Sequence, residues 1–261
     1  MRTLPPLGVL LPVLLHMAIG GTTAYFLIWR GVFGIYSVLA AVSTALLFVS
    51  GRHYPSAKNP GSSFFGLYGR LLRTPASLRL YLIVLLEGIL IIGSFSYLGA
   101  YISKTYRYNY FYIGLIMTAF GIAAMIGGRM SGKLGRRLRQ KNLVVSGLII
   151  ASAANVVLYF LGYQLGFLIL GVTLLGFGLM LAHSTLLTIA TEFAAQARGA
   201  AMSLAAFCFM GGGGGGTAIG GKVIGAAGFN LFYLYYGLIL IALASLAAVW
   251  VTARAVSEVR A

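Results

Sequence analysis

Only three acidic side chains occur among 261 residues, and all three are Glu. Two of them, Glu192 and Glu258, fall in polar connections. The third, Glu87, lies inside "YLIVLLEGILIIGSFSYLGAYI", Tyr81 to Ile102, which is otherwise apolar enough to cross a bilayer. An ionisable group at such a depth costs at least about 2.5–3.5 kcal/mol and normally faces a cavity or a partner. A carboxyl group held there can carry a proton or attract a cation. Counting 100° per residue from position 87, Ser94, Leu98 and Tyr101 share its helical face. His16 sits near the middle of another apolar run and is a side chain able to titrate near neutral pH. His183, followed by Ser184 and Thr185, lies near the end of a third run. A lone histidine in a helix is more often a hydrogen-bonded packing residue than a working one. Asn155 falls inside a further run and is expected to bond a neighbouring helix.

Other chemistries find little support. Cys208 is the single cysteine, so an internal disulfide and a cysteine-based metal cluster are both excluded. The three histidines, His16, His53 and His183, are scattered, which argues against a hydrolytic metal site. There is no Asp, so intramembrane aspartyl proteolysis is excluded. A serine–histidine site stays open, although no serine has a recognisable activating setting. Gly216 to Lys222 fits Gly-x-x-x-x-Gly-Lys, but Val223 comes next where Ser or Thr belongs, and no strand precedes it. It is not a phosphate loop, so no ATP and no cofactor is implied.

The elements that must position these groups are membrane helices. Hydrophobic residues make up 60% of the chain and charged residues 8%, against about 25% charged in soluble domains. Runs of about 20 apolar residues span a bilayer, and eight are expected: 6–28, 31–50, 80–102, 111–128, 142–162, 165–187, 199–221 and 229–251. The fold expected is thus all-α and integral to the membrane. The apolar run after Arg2 continues to Ile28, so it reads as a first span and not as a signal peptide. Fifteen of the 19 cations fall in one set of connections, and only Arg30, Lys104, Arg107 and Lys222 in the other. The positive-inside rule then places both termini in the cytoplasm. The net charge of +16 reflects these connections and not a nucleic-acid partner.

The longest connection, 51–79, holds three prolines and separates two spans from six, as a linker would. Within it "FFGLYGRLLR", Phe64 to Arg73, is apolar and basic at helical spacing, as a helix lying on the membrane surface would be. The tract "YISKTYRYNYFYIG" carries aromatic residues at the outer mouth between two spans, where an interfacial belt is expected. "FMGGGGGGTAIGGK" places Gly-x-x-x-Gly pairs, Gly211/Gly215 and Gly212/Gly216, in the seventh span. Such pairs allow close helix approach, or a hinge.

Three motifs carry a resemblance. In "GGRMSGKLGRRLRQK", Gly127 to Lys141, the spacing of Gly128, Lys133, Gly135, Arg136 and Arg137 resembles the signature loop of the major facilitator superfamily. Gly132 stands where that loop has Asp. "HMAIGGTTAYFLIWRGVFGIY", His16 to Tyr36, is similar to the fifth helix of an efflux member, with Gly20, Gly21, Trp29 and Arg30 in register. His16 and Met17 replace a Gly-Pro. "TEFAAQARGAAMSL" resembles the loop between helices ten and eleven through Glu192, Arg198 and Gly199, with Ala195 replacing a Pro.

The resemblance implies helices five to twelve of a drug or metabolite efflux permease. Residues 1–50 would be the last two helices of the N-terminal bundle, 51–79 the cytoplasmic linker, and 80–261 the six-helix C-terminal bundle. It implies proton-coupled export of a small molecule by alternating access, in the plasma or bacterial inner membrane. Glu87, Ser94, Tyr101 and His16 would serve substrate or proton. The loops at Gly128–Arg137 and Glu192/Arg198 would gate, and the glycines at 20, 21, 211, 212, 215 and 216 would pack or hinge. The partners implied are the lipid bilayer, a small-molecule substrate, protons, and a chain supplying four further helices. The alternatives are a non-transporting remnant or half-transporter, and a membrane enzyme.

Overall fold

The structure is a computed structural model that describes residues 7–51, 64–194 and 197–251. Among the described residues all regular structure is helical. We number the helices α1 (Leu7–Gly51), α2 (Phe64–Arg73), α3 (Pro75–Tyr106), α4 (Tyr110–Leu134), α5 (Gln140–Leu161), α6 (Leu165–Phe193) and α7 (Arg198–Trp250). Six of these contain stretches long and apolar enough to cross a membrane.

Local chemistry fixes the helix ends. Thr74 is extended and Pro75 opens α3, where its missing N–H costs nothing because that position has no helical partner. The helix therefore starts five residues before the expected 80. It ends at Arg107, whose φ of 54° is left-handed. Asn109 then caps α4, its side-chain oxygen accepting the N–H of Tyr112 at 3.2 Å, which satisfies one of the orphan donors of the first turn.

One expected break is missing. The segment 7–51 is one continuous helix, where two spans, 6–28 and 31–50, were expected. At 1.5 Å per residue it is about 67 Å long, about twice the ~30 Å of a bilayer core, but an unbroken helix cannot turn back to cross twice. No proline interrupts the region around Arg30, and Gly34 meets no neighbour that would demand a bend. The segment packs chiefly against α4, and its apolar side chains from Phe33 to Val49 are exposed.

The helix α7 departs from regularity once, at Gly228, with φ 78° and ψ 172°, a conformation open to glycine and strained for other residues. The Tyr236 hydroxyl nevertheless donates to the carbonyl of Gly216 at 2.7 Å. In a straight helix 20 residues would separate them by about 30 Å. The chain therefore reverses at Gly228, and the two arms form the hairpin expected of spans 199–221 and 229–251.

Helix α6 occupies the middle of the bundle. Gly176 and Gly127 bring it against α4, since a Cβ at either would strike the backbone of Phe120 or Phe177. Gly147 and Gly178 bring it against α5, where a Cβ on Gly178 would lie 2.6 Å from the carbonyl of Gly147. Small residues allow this backbone approach. The interior is filled by fully buried side chains, among them Leu148, Leu158, Leu168, Leu175, Phe232 and Tyr233. Helix α2 lies within the expected linker, as its apolar and basic spacing predicts, and its Leu71 is buried.

Candidate functional site: a buried Glu–His pair

Glu87 closes the α-helical first part of α3, and the next five residues, Gly88–Ile92, form a π-helical stretch. A π stretch inserts about one residue into the helical count, turning the rest of the helix by about 100°, and such stretches recur at functional sites. Ser94 and Tyr101 therefore leave the face reckoned from position 87. All three are buried, but each has its own surroundings. The Ser94 hydroxyl donates to Ile91 of its own helix at 3.1 Å. The Tyr101 hydroxyl reaches the carbonyl of Leu158 on α5 at 3.4 Å, and its ring meets Tyr233 edge-on at 5.2 Å.

Glu87 turns instead to α6. Oε2 lies 3.0 Å from Nδ1 of His183, and the two share a hydrogen bond whose proton can sit on either partner. Glu87 has no solvent exposure and His183 very little. Among the described residues, Oε1 of Glu87 has no hydrogen-bond partner. The third wall is α7, where the Phe209 ring lies over the imidazole, centroid to centroid 4.0 Å. Three helices thus meet at one buried, ionisable pair.

His183 was expected to be a packing residue, and it is the partner of Glu87. The available signal was depth. Both residues sit toward the same end of their spans, and two polar groups at one depth in apolar helices relieve each other. Asn155 departs from expectation in the other direction. It is fully buried, and its amide donates to Ala151 of its own helix at 2.9 Å and not to a neighbour.

The seam between α3 and α7 runs directly beside the pair. A Cβ on Gly88 would collide with the carbonyl of Phe209, one on Gly212 with the carbonyl of Leu85, and one on Gly216 with that of Ile89. The pairs expected from spacing therefore divide. Gly212 and Gly216 pack, whereas Gly211 and Gly215 meet nothing within 4 Å, because they lie a helical step away from the contact face.

At the end of the bundle toward which Glu87 is offset, Gly135, Arg136 and Arg137 form the turn between α4 and α5 and are exposed, as is Lys133. Gly128 lies 3.6 Å (from a Cβ placed on it) from the hydroxyl of Ser184 on α6. Glu192 accepts from the side-chain amide of Gln140, at 3.0 Å to Oε1 and 3.1 Å to Oε2. Among the described residues no carboxylate pairs with Lys133, Arg136, Arg137 or Arg198. His16, Gly20 and Gly21 belong to α1, and their surroundings lie outside the described residues.

A bundle of long apolar helices packed through glycines is the architecture of an integral membrane protein. The pattern defining the Major Facilitator Superfamily matches residues 7–217. The chain belongs to that superfamily of membrane transporters.

Proposed function

We propose that the protein is a secondary active transporter that exports a small molecule in exchange for protons, with Glu87 and His183 as its proton site. The observation that carries this reading is the wholly buried Glu87 carboxyl, 3.0 Å from His183, with its second oxygen unpartnered among the described residues. The logic is one of charge. With one proton shared, the pair is an imidazolium beside a carboxylate, or two neutral groups, and its net charge is zero. A neutral pair is tolerable in a sealed, low-dielectric bundle. Removing that proton leaves one net negative charge, which is costly there unless water or a cationic group of the substrate reaches Oε1. Closure is thereby favoured with the proton on, and opening with it off.

In this reading residues 7–51 match helices five and six in sequence, although they form one continuous helix in this structure, and α3 to α7 correspond to helices seven to twelve. Both termini lie in the cytoplasm, and the membrane is the plasma or bacterial inner membrane. The turn at Gly128–Arg137, with Glu192 and Arg198, steadies the state closed to the cytoplasm. Ser94 and Tyr101 serve the solute path further along α3. A second reading, in which α1 is completed by another chain, is favoured by the exposure of Leu46, Leu47 and Phe48. Cross-linking from position 47 to a protein and not only to lipid would decide for it.

The test is transport driven by a pH gradient in membranes carrying equal amounts of wild type and Glu87→Gln. The amide keeps the shape and cannot release a proton, so gradient-driven movement should be lost while folding is retained. Equal rates with equal pH dependence would make Glu87 structural.

A further inference from the structure

We infer that Phe209 is the positioning residue of the Glu87–His183 pair, fixing the imidazole plane and tying it to the α3–α7 seam. The inference rests on the reading of that pair as a proton site. An imidazole's terminal torsion is broad and roughly two-fold, so packing must decide whether Nδ1 faces Glu87. The Phe209 ring does this. It is itself buried, and it lies over the His183 ring at 4.0 Å with 35° between the planes. An aromatic face also attracts a cation placed over it, so of the two forms the protonated pair can take the ring favours the imidazolium beside a carboxylate.

The backbone of Phe209 holds the other end of the linkage. Its carbonyl sits where a Cβ of Gly88 would be, next to Glu87 in sequence, and Gly212 and Gly213 continue the contact along α7. One residue therefore touches His183 through its ring and the neighbour of Glu87 through its carbonyl. Three further titratable side chains on the packed elements have settings of their own. Tyr81 on α3 donates to the carbonyl of Ala201, Cys208 on α7 is only half-buried, and Glu192 at the end of α6 is held by Gln140.

The experiment is nitrogen-15 NMR of histidine-labelled protein in lipid bilayers, with the His183 signals assigned by their loss in His183→Gln. Wild type and Phe209→Tyr should each show a single Nδ1 resonance that changes in Glu87→Gln. Phe209→Leu keeps apolar bulk without the ring and should lose that single resonance, the signal splitting or broadening as the imidazole samples both orientations. A wild-type Nδ1 resonance in Phe209→Leu, or equal disturbance in the Leu and Tyr variants, would overturn the role given to the ring. The reading beneath it fails separately. In that case the wild-type Nδ1 resonance shows no response to pH and none to Glu87→Gln.

Discussion

Gln140 and Glu192 stand 52 residues apart in the chain and join the start of α5 to the end of α6, one amide nitrogen within 3.1 Å of both carboxylate oxygens. The turn beside them is crowded with cations, yet the acid is held by a neutral donor. Both groups are at least partly exposed, so the bond is a modest one, at the low end of about 0.5–1.5 kcal/mol. A double-mutant cycle with Gln140→Ala and Glu192→Ala, read by thermal unfolding of the purified protein, should return a coupling of that size. A coupling indistinguishable from zero would remove the contact from any gating scheme.

The turn itself offers a paired test. Arg136 is exposed without a carboxylate partner among the described residues, so Arg136→Ala should leave insertion and abundance unchanged and alter the transport rate. Gly132 occupies the position of the family's acid and has open space around it. Gly132→Asp should therefore fold normally and change the rate as well. Unchanged rates in both variants at normal abundance would leave the turn a topological signal only.

The glycine run of α7 should divide sharply on alanine substitution. Gly212→Ala and Gly216→Ala force a Cβ into the α3 backbone, an overpacking that costs about 1–3 kcal/mol. Gly211→Ala, Gly214→Ala and Gly215→Ala meet nothing within 4 Å and should be neutral, or stabilising by up to about 1 kcal/mol through helix propensity. Melting temperatures of the five variants check the division, and a uniform response across the run would contradict the seam.

Breaking the buried pair should be worse than removing it. A single His183→Ala or Glu87→Ala leaves an uncompensated ionisable group, a loss of about 3–5 kcal/mol. The double variant Glu87→Ala/His183→Ala removes the charge problem and should lose clearly less than the sum of the two single losses while remaining inactive. Additive losses in the double variant would show that the two residues do not act on each other.

The cation bias predicts the orientation. In a background with Cys208→Ser, cysteines at Ser56 and Gln140 should react with a membrane-impermeant thiol reagent only from the cytoplasm, and one at Asn109 only from outside. Labelling of position 140 from outside would reverse the orientation.

Much of this was readable from residue types. Pro75 and Asn109 mark helix starts through backbone chemistry that any sequence exposes, and Glu87 announces itself by cost alone. The features that stayed hidden depend on contacts between distant residues. Nothing near His183 in the chain points to a partner 96 positions earlier. The π stretch after Glu87 answers to the fit of Gly88 and Gly93 against α7, so stepping 100° from position 87 carried Ser94 and Tyr101 onto the wrong face. The glycine run fixed a periodicity without a phase, and only the packing against Leu85 and Ile89 chose between its two faces.

The reversal at Gly228 bears on how the protein is made. Two long apolar arms meet there across a single residue, with no polar segment between them to be recognised separately by the insertion machinery. With so short a connection, the two arms are expected to enter the bilayer together, as one hairpin. A stalled chain ending just after Gly228 would therefore hold its first arm in the translocation channel, and lateral release would await the synthesis of the second.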